Sequence, residues 1–509
     1  MCHKYSFSLS KFLFPSPCLP SRSLRHGRQV FLFFTRRSMR RLVLCCAGGL
    51  FLPFVSSSQS DKFRYDKDQL TKEFHAGRRD ALRALMPDSS VAVFFASPEL
   101  IRSNDVEYQY CQSPDFYYLT GCPEPNAVVL IFKEKVKLDS LYTNEVLFVQ
   151  ERNASKESWT GRRLGVEGAR RLLGFKQVLL NGQFEVFDPV FQRFKVIYAT
   201  SKPVETGKKK SWKETDTESL KRRFAALVPE GKQVETEALK GWMADLRVVK
   251  TAEELVLLKK AIRITCEAHA ELMRGLDSTM TEFQAQALVE YGFKVRGSEY
   301  PGYPSIVGSG ENTCILHYTE NRKPLHPGDL IVVDAGAEYH GYTADVTRTL
   351  PANGLFSKEQ RLLYDAVYDA QAAGIAACMA GNDFHAPHMA AFKVVAARLK
   401  ELGIIQNELE ATRYFFHGTS HYLGLDVHDV GPYGKLKPGN VITVEPGIYI
   451  PEGAACDKKW WNTGIRIEDD ILITESAPEN LSGSLPSKAG EVERIMKENS
   501  FFKVPSTEK

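Results

Sequence analysis

Two kinds of hydrophobic pattern alternate over the first half of the chain. Continuous apolar runs of strand length occur at residues 90–95, 128–132 and 145–149. Apolar residues at helical spacing occur at residues 67–85 and 166–173. Because strands that alternate with helices are typical of an α/β domain, we expect such a domain here.

Helical patterns separated by short strand patterns dominate the second half. The sequence from Thr251 to Glu254 forms a capping box, and an apolar stripe continues from it to about Met273. Further helices are predicted over residues 282–295, 358–379 and 387–402, the last with a proline in its first turn, where proline is tolerated. We therefore expect interleaved helices and β-hairpins.

These patterns divide the chain into three segments. Residues 1–60 differ in composition from the remainder, residues 61–237 form the first domain, and residues 238–500 form the second. Within the first domain, residues 201–221 are polar and include three consecutive lysines, which indicates a linker or a surface excursion. The roughly 450 residues after the first segment suffice for two domains with sizeable cores.

One predicted hairpin of the second domain contains two aspartates. Strand-like runs flank the dipeptide His340-Gly341, which suits a two-residue turn. The resulting register pairs Tyr339 with Tyr342, and it places Asp334 opposite Thr347 and Asp345 opposite Gly336. Side chains alternate faces along a strand, so the two aspartates lie on one face as diagonal neighbours.

Two carboxylates in this arrangement suit a pair of cations. Hydrolytic metal pairs lie roughly 3.5 to 4 Å apart, and Gly336 would leave space for them between Asp334 and Asp345. Taken alone, the pair is better explained as two exposed hairpin aspartates. The residues that follow favour the metal interpretation.

Four further ionisable residues lie in local sequences that suit a metal site. His417 and His421 lie four residues apart, but nearby glycines argue against a helix and favour an irregular loop. Glu445 ends an apolar run and precedes Pro-Gly, which places it at the end of a strand. Glu468 is predicted inside an alternating strand, with Arg466 on the same face as a charge partner for one of the carboxylates.

These residues resemble the pita-bread metallopeptidase family, and in particular its Xaa-Pro aminopeptidase (aminopeptidase P) branch. The resemblance extends over roughly residues 65–490. It rests on His317, Asp334, Asp345-Val-Thr-Arg-Thr349, His417, His421, Asp426-Val-His428-Asp-Val-Gly431, Glu445-Pro-Gly447 and Gly464-Ile-Arg-Ile-Glu468. In the first domain it includes Asp115-Phe-Tyr-Tyr-Leu-Thr-Gly121 and Trp159-Thr-Gly-Arg-Arg-Leu-Gly165.

The resemblance implies an α+β protein in which a pita-bread catalytic domain, residues 238–500, follows an α/β amino-terminal domain, residues 61–237. It also implies two divalent metal ions per subunit. Oxygen donors suit manganese without excluding cobalt, zinc or iron. The implied metal ligands are Asp334, Asp345, His421, Glu445 and Glu468.

The same resemblance assigns roles to other side chains. His317, His417 and His428 would position the scissile carbonyl, stabilise the oxyanion and shuttle protons, although each histidine alone would more often be structural. Glu445 would also accept the proton of the nucleophilic water. Tyr449 would contribute to the wall of a pocket for the proline ring.

Trp159 has two competing interpretations. From its own sequence context it would more often be a core residue. By resemblance it would reach the active site of a neighbouring subunit, which implies a homodimer or homotetramer.

The implied reaction is removal of the amino-terminal residue from peptides with proline in second position, by a hydroxide bound to two metals. An amide to proline has no N–H, and an attack centred on a metal does not need one. A prolidase, restricted to dipeptides, would share every metal ligand. A methionine aminopeptidase fits the long first domain less well, and a non-catalytic pita-bread binding protein would be expected to have lost ligands.

Charge is distributed unevenly along the chain. Residues 1–60 contain nine of the 66 lysines and arginines and none of the 62 acidic residues, which leaves 57 basic residues in the remainder. The basic balance therefore belongs to this first segment and does not indicate nucleic-acid binding. Six cysteines follow it without Cys-x-x-Cys spacing, so a thiolate metal site is not expected.

Residues 1–60 have the features of a cleavable targeting leader. Met39-Arg-Arg41 precedes a fourteen-residue apolar run and then Ser56-Ser-Ser58, as in an export signal at about residues 39–58. The run is short for a membrane span, so we expect none in the mature form. We expect export to the periplasm or outside the cell. The Arg- and Ser-rich residues 1–38 leave a mitochondrial presequence as the alternative.

Overall fold

The computed structural model describes residues 66–138, 141–187, 191–202 and 216–501. The predicted leader, residues 1–60, lies outside these residues, as does most of the predicted polar linker. Within the described part, no helix has the combination of length and apolar character that crossing a membrane requires.

The amino-terminal part, up to residue 237, is built on one six-stranded mixed sheet. Its strands, in sheet order, are Val178–Leu180, Leu141–Val149, Val128–Leu138, Ser90–Phe95, Val196–Ala199 and Val234–Glu235. The helices of this part are Lys72–Leu85, Pro114–Thr120, Ala154–Thr160, Gly165–Leu173 and Asp216–Leu227, with a 3-10 helix at Asn181–Phe187 and a small hairpin of Ile101–Ser103 and Val106–Glu107.

The predicted strands and helices of this part are confirmed, with changed bounds. The strand Ser90–Phe95 is buried along its whole length, which explains its continuous apolar sequence. It pairs antiparallel with Val128–Leu138 and parallel with Val196–Ala199. The helix Asp216–Leu227 begins inside the stretch predicted to be linker or surface, because Leu220, Phe224 and Leu227 supply a buried face.

The carboxyl-terminal part consists of long helices and short antiparallel strand pairs. Its helices are Glu237–Val248, Ala252–Gly275, Glu282–Val295, Lys358–Ala376, Ala386–Glu401 and Ala489–Ile495, with 3-10 helices at Gly310–Cys314, Glu408–Arg413 and Lys458–Trp460. Its strands are Tyr300–Pro301, Ile306–Ser309, Leu330–Asp334, Ala337–Tyr339, Tyr342–Thr343, Thr347–Pro351, Val441–Val444, Gly447–Ile450, Thr463–Arg466, Asp469–Leu472 and Glu479–Asn480. The architecture is α+β, as predicted.

The capping box before the long helix Ala252–Gly275 is confirmed. Thr251 Oγ1 accepts a hydrogen bond from the Glu254 N–H, and the Glu254 carboxylate accepts one from the Thr251 N–H at 2.9 Å. The helix buries Leu257, Leu258 and Ala261 among other residues. The strands that pack on this helix are therefore held in place by its buried face.

The predicted hairpin register is confirmed. Tyr339 pairs with Tyr342, and Asp334 pairs with Thr347. The turn residue His340 has a φ of 49° and Gly341 a φ of 84°, the left-handed pair that a tight two-residue turn requires. The hairpin therefore directs both aspartates as the sequence pattern indicated.

The role expected of Gly336 was wrong. The ladder is interrupted between Asp334 and Ala337, and the chain at Gly336 approaches the Ala344 carbonyl so closely that an added Cβ would lie 1.7 Å from its oxygen. The glycine therefore permits a close backbone crossing and does not leave an open space. The ring of Tyr303 fills the remaining room beside it.

Candidate metal centre

The two aspartates of the hairpin share one hydrogen-bond donor. Asp334 ends the strand Leu330–Asp334, Asp345 precedes the strand Thr347–Pro351, and both side chains are buried. The Tyr303 hydroxyl lies 2.7 Å from Asp334 Oδ1 and 2.5 Å from Asp345 Oδ1. Their carboxylates therefore lie on the same side of the hairpin, as predicted.

His421 and Glu445 are brought together by backbone pairing. The loop that contains His417 and His421 has no helix, as predicted, and runs beside the strand Val441–Val444. The Thr443 N–H donates to His421 O at 3.0 Å, and the Glu445 N–H donates to Thr419 O at 2.9 Å. Glu445 follows the end of that strand, also as predicted.

Glu468 does not lie inside a strand, contrary to the prediction. The strand Thr463–Arg466 ends two residues before it, and the strand Asp469–Leu472 begins just after it. In this break the Glu468 N–H donates to Thr347 O at 3.1 Å, and Thr347 Oγ1 donates to Glu468 Oε2 at 2.6 Å. The bend turns a buried carboxylate toward the two aspartates.

The resulting cluster has the donor set of a metal site. Asp345, His421 and Glu468 each offer a ligand atom within 4.8 Å of the others. His421 Nε2 lies 3.3 Å from Asp345 Oδ2 and 3.5 Å from Glu445 Oε1. His421 Nδ1 contacts its neighbour's carbonyl, Tyr422 O, at 3.0 Å, which leaves Nε2 to face the carboxylates.

The charges of the cluster are poorly balanced by the protein itself. Burial raises the pKa of Glu468 well above its usual value, and the charges of Asp345 and Glu445 raise it further. Burial also raises the pKa of Glu445 to about 7, with His421 opposing the rise and Asp345 adding to it. Arg466 Nη2 contacts Asp334 Oδ2 at 2.6 Å and is the charge partner predicted from sequence.

Four carboxylates and one imidazole therefore crowd together with one arginine contacting them. Burying negative charge without compensation is costly, so this donor set fits divalent cations. The residues that could hold them are the five ligand positions predicted above: Asp334, Asp345, His421, Glu445 and Glu468.

Asp470 is a buried neighbour that the prediction did not include as a site residue. Its Oδ2 accepts a hydrogen bond from the Asp345 N–H at 3.2 Å, and its Oδ1 is buried without a described partner. Burial and the charge of Asp345 raise its pKa well above the usual value. It follows Glu468-Asp469 directly, so this acidic sequence was a usable signal, whereas nothing in the sequence around Tyr303 indicated its role.

The three predicted catalytic histidines differ in their surroundings. Burial lowers the pKa of His417 to about 4, and the charge of Arg466 adds to this effect. His428 is exposed, and its ring lies 4.2 Å from that of His421. His317 is also exposed.

Tyr449, which was predicted to contribute to the wall of a pocket for the proline ring, is fully buried. Its hydroxyl lies 2.9 Å from His417 Nε2 and 3.1 Å from Arg466 Nη1. Gly447 allows this approach, because an added Cβ would lie 2.3 Å from the Tyr449 hydroxyl. The tyrosine thus connects a histidine beside the cluster to the arginine that balances Asp334.

Trp159 is 88 % exposed, so its interpretation as a core residue was wrong. It lies near the end of the short helix Ala154–Thr160, which has no buried residues. Its predicted approach to a neighbouring subunit stays a prediction.

Fold and centre together define a metal-dependent hydrolase, and comparisons with known proteins identify the family. Residues 256–475 match the model of metallopeptidase family M24, and residues 75–193 match the model of the aminopeptidase P N-terminal domain. The chain therefore belongs to metallopeptidase family M24, in its aminopeptidase P branch, and is a metallopeptidase with the predicted pita-bread catalytic domain.

Individual relatives extend over nearly the whole described chain. The Xaa-Pro aminopeptidase of Escherichia coli is 36% identical over 452 residues, which cover 84% of this chain and 98% of that protein. The mitochondrial intermediate cleaving peptidase 55 of Arabidopsis thaliana is 30% identical, with 83% of each chain covered. The solved structure of Escherichia coli aminopeptidase P with the inhibitor Pro-Leu has a TM-score of 0.76 and 35% identity, and covers 84% of this chain and 98% of its own.

Proposed function

We propose that this chain removes the amino-terminal residue from peptides whose second residue is proline. The observation that carries the proposal is the buried cluster of four carboxylates and His421, which lies in a chain matching 98% of the length of a Xaa-Pro aminopeptidase. Two divalent cations, with manganese as the expected metal, would be held by Asp334, Asp345, His421, Glu445 and Glu468. When bound, they would supply Lewis-acid chemistry that lowers the pKa of water and polarises the scissile carbonyl.

The side chains around the centre perform the remaining steps. Glu445, which lies 3.5 Å from His421 Nε2, is placed to accept a proton from water. His417 is kept neutral by burial and by Arg466, and its single ring proton lies on Nδ1, which donates to Gly418 O at 2.7 Å. The ring must therefore turn before it can donate this proton toward a substrate carbonyl. His317 and His428, both exposed near the cluster, bind and orient the peptide.

The geometry of Tyr449 supports a refined role. Because its hydroxyl contacts His417 and Arg466, it fixes the orientation of the imidazole. Arg466 in turn holds Asp334 and offsets part of the negative charge of the cluster. Both residues therefore act by positioning groups that contact the substrate or the cations.

Incubation with short peptides tests the proposed activity. Protein without residues 1–60 is stripped with a chelator, restored with manganese and incubated with Arg-Pro-Pro, Ala-Pro and Ala-Ala-Ala, and the products are identified by mass. We expect metal-dependent release of Arg from Arg-Pro-Pro and no cleavage of Ala-Ala-Ala. Cleavage of Ala-Pro alone would indicate a prolidase, and no cleavage with any divalent metal would indicate a non-catalytic binding protein.

We also propose that residues 1–60 are a cleaved leader, that the mature protein is exported, and that it forms a homodimer or homotetramer in which Trp159 reaches a neighbouring active site. Amino-terminal sequencing of the mature protein, with fractionation of the cells that make it, distinguishes export from the mitochondrial alternative. Light scattering measures the subunit number. A monomer with full activity would contradict the role proposed for Trp159.

A further inference from the structure

A buried ion network lies outside the metal centre, where the amino-terminal part meets the carboxyl-terminal part. Arg247, near the end of the helix Glu237–Val248, is 3% exposed. Its Nη1 donates to Asp115 Oδ1 at 2.8 Å, and its Nη2 donates to Asp426 Oδ2 at 2.9 Å. The same Nη2 also donates to the carboxylate of Asp429. One guanidinium thus joins the helix Pro114–Thr120 to the loop that contains Asp426 and Asp429.

Asp429 is the central acceptor of this network. It is buried, and Lys250 Nζ donates to its Oδ2 at 2.8 Å. Lys250 is itself fixed, because its Nζ donates to Arg247 O at 2.7 Å and its N–H donates to Gly439 O at 2.8 Å. Burial favours the neutral acid, but the two cations outweigh it and lower the pKa of Asp429. The carboxylate is therefore held as an anion in one place.

Asp429 closes a loop, and one histidine lies directly before each of the two residues that close it. The Asp429 N–H donates to Tyr422 O at 2.8 Å, which closes residues 422–429 into a loop. His421 directly precedes Tyr422 and His428 directly precedes Asp429, and their rings lie 4.2 Å apart. Gly424 leaves room for the carboxylate, since an added Cβ there would lie 2.2 Å from Asp429 Oδ2.

We propose that Arg247 is a positioning residue for the metal centre: through Asp429 and Asp426 it holds the loop that presents His421 and His428, and through Asp115 it makes that geometry depend on the amino-terminal domain. The role rests on the proposed function, since it concerns a metal ligand and a substrate-binding histidine. Arginine suits the task because its planar group reaches three carboxylates at once, which an ammonium on a flexible stem does less well.

Arg79 is a matched control for loss of a buried arginine. It is 1% exposed, and it contacts Leu119 O at 2.8 Å and Glu145 at 2.9 and 3.0 Å, all within the amino-terminal part. Removal of either arginine leaves buried acceptors unpaired and lowers stability. Only the loss of Arg247 should disturb the loop beside the centre.

The test measures manganese affinity by calorimetry and kcat and KM on Arg-Pro-Pro, at a temperature where every variant is folded. For Arg247→Gln we expect manganese affinity and kcat each to fall on the order of tenfold or more, because residues behind metal ligands typically have effects of this size. Arg247→Lys should restore part of both losses, and Asp115→Asn should cause a smaller loss in both. Arg79→Gln should lower the thermal midpoint with both quantities within about twofold of the starting protein.

Each outcome separates this inference from the proposed function. If the unmodified protein cleaves Arg-Pro-Pro while Arg247→Gln keeps both affinity and kcat within about twofold, the inference fails and the proposed function stands. If manganese affinity falls as expected but no variant cleaves any peptide, the inference stands and the proposed function fails. If Arg247→Gln does not fold, the inference is tested with Arg247→Lys and Asp115→Asn. Asp115→Asn is expected to fold because Asp115 is partly exposed and asparagine has the same shape. If neither variant changes manganese affinity or kcat, the inference is overturned.

Discussion

Two clusters in the described part of the chain combine one histidine with two carboxylates at metal-binding distances, and they are built in opposite ways. One contains Asp345, His421 and Glu468, and the other contains Asp66, Glu299 and His340. The first is buried among further carboxylates. The second lies at the turn of the hairpin, where its acids are partly exposed.

The histidines of the two clusters differ most clearly. His421 uses Nδ1 on the Tyr422 carbonyl and presents one nitrogen to its acids. His340 faces acids with both nitrogens: Nδ1 lies 2.9 Å from Glu299 Oε1, and Nε2 lies 3.3 Å from Asp68 Oδ1 and 3.5 Å from Asp66 Oδ2. In its protonated form, an imidazole between these acids balances their negative charge without a metal ion.

Lysine completes the charge balance of the second cluster. Lys260 Nζ donates to Asp68 Oδ2 and to the Tyr339 hydroxyl, both at 2.6 Å. The first cluster and its neighbours Asp334 and Glu445 together have four carboxylates, and Arg466 contacts Asp334. Both clusters have similar residue types and spacing, so metal sites are distinguished by uncompensated buried charge and by a histidine that presents a single nitrogen to the carboxylates.

The largest expected effect comes from Asp345→Asn. Removing this carboxylate should lower turnover of Arg-Pro-Pro by roughly 10³-fold or more, because the attacking water is no longer activated. The free energy of unfolding in chelator should fall, because burial opposes the Asp345 charge but its contacts with His421 and Tyr303 and the charge of Arg466 outweigh burial and lower the pKa of Asp345. Initial rates and denaturant unfolding measure the two quantities, and a variant with full activity would refute the assignment of the centre.

The second-largest expected effect is the stabilisation by manganese, which should depend on the first cluster and not on the second. Manganese at about 100 times its dissociation constant should stabilise the stripped protein by about 2.7 kcal/mol and raise its thermal midpoint. Asp345→Asn should lose this shift. His340→Asn should keep it, and asparagine is chosen because the left-handed backbone at this position tolerates it. A shift lost in His340→Asn alone would reverse our assignment of the two clusters.

His340→Asn should instead reveal a dependence of stability on pH. Burial opposes charging, but hydrogen bonds and charges from Glu299, Asp68 and Asp66 raise the pKa of His340. A raised folded pKa means that the stabilisation is fully present below the unfolded pKa of about 6.5 and is lost as pH rises through the folded value. We expect a cost of about 1 kcal/mol at about pH 6 that shrinks in alkaline solution, measured by urea unfolding. An equal cost at both pH values would contradict the imidazolium.

The smallest expected effect is that of Asp68→Asn. Its contacts with Lys260 and Tyr339 lower the pKa of Asp68 although burial opposes this, but the pair is 27% and 38% exposed and screened by water. We expect a loss below about 1 kcal/mol that shrinks in high salt, with kcat unchanged. Urea unfolding at low and high salt checks this, and a large loss that salt does not reduce would indicate a role beyond the ion pair.

The features of the fold and the site that could be predicted from the sequence follow from local rules. The register of the hairpin follows from its two-residue turn and the period of two along strands, so the shared face of Asp334 and Asp345 could be predicted. The strand-end position of Glu445 follows from Pro-Gly in the same way. Local rules of this kind also predicted most helices.

The remaining features depend on contacts between distant segments. Tyr303 bridges the aspartates from 31 and 42 residues away, and Arg247 reaches Asp115 across 132 residues. At the break between two strands, the Glu468 N–H donates to Thr347 O, 121 residues away in the chain. The interpretation of Trp159 as a core residue was wrong because its local sequence does not distinguish a tryptophan in a short exposed helix from a buried one.

Counting bound manganese tests the central claim most directly. Protein loaded with manganese and freed of excess metal is analysed for metal per chain, together with Asp345→Asn and His340→Asn. Our account predicts about two ions in the unmodified protein and in His340→Asn, and a clear loss in Asp345→Asn. Retention of two ions in Asp345→Asn, or their loss in His340→Asn, would contradict it.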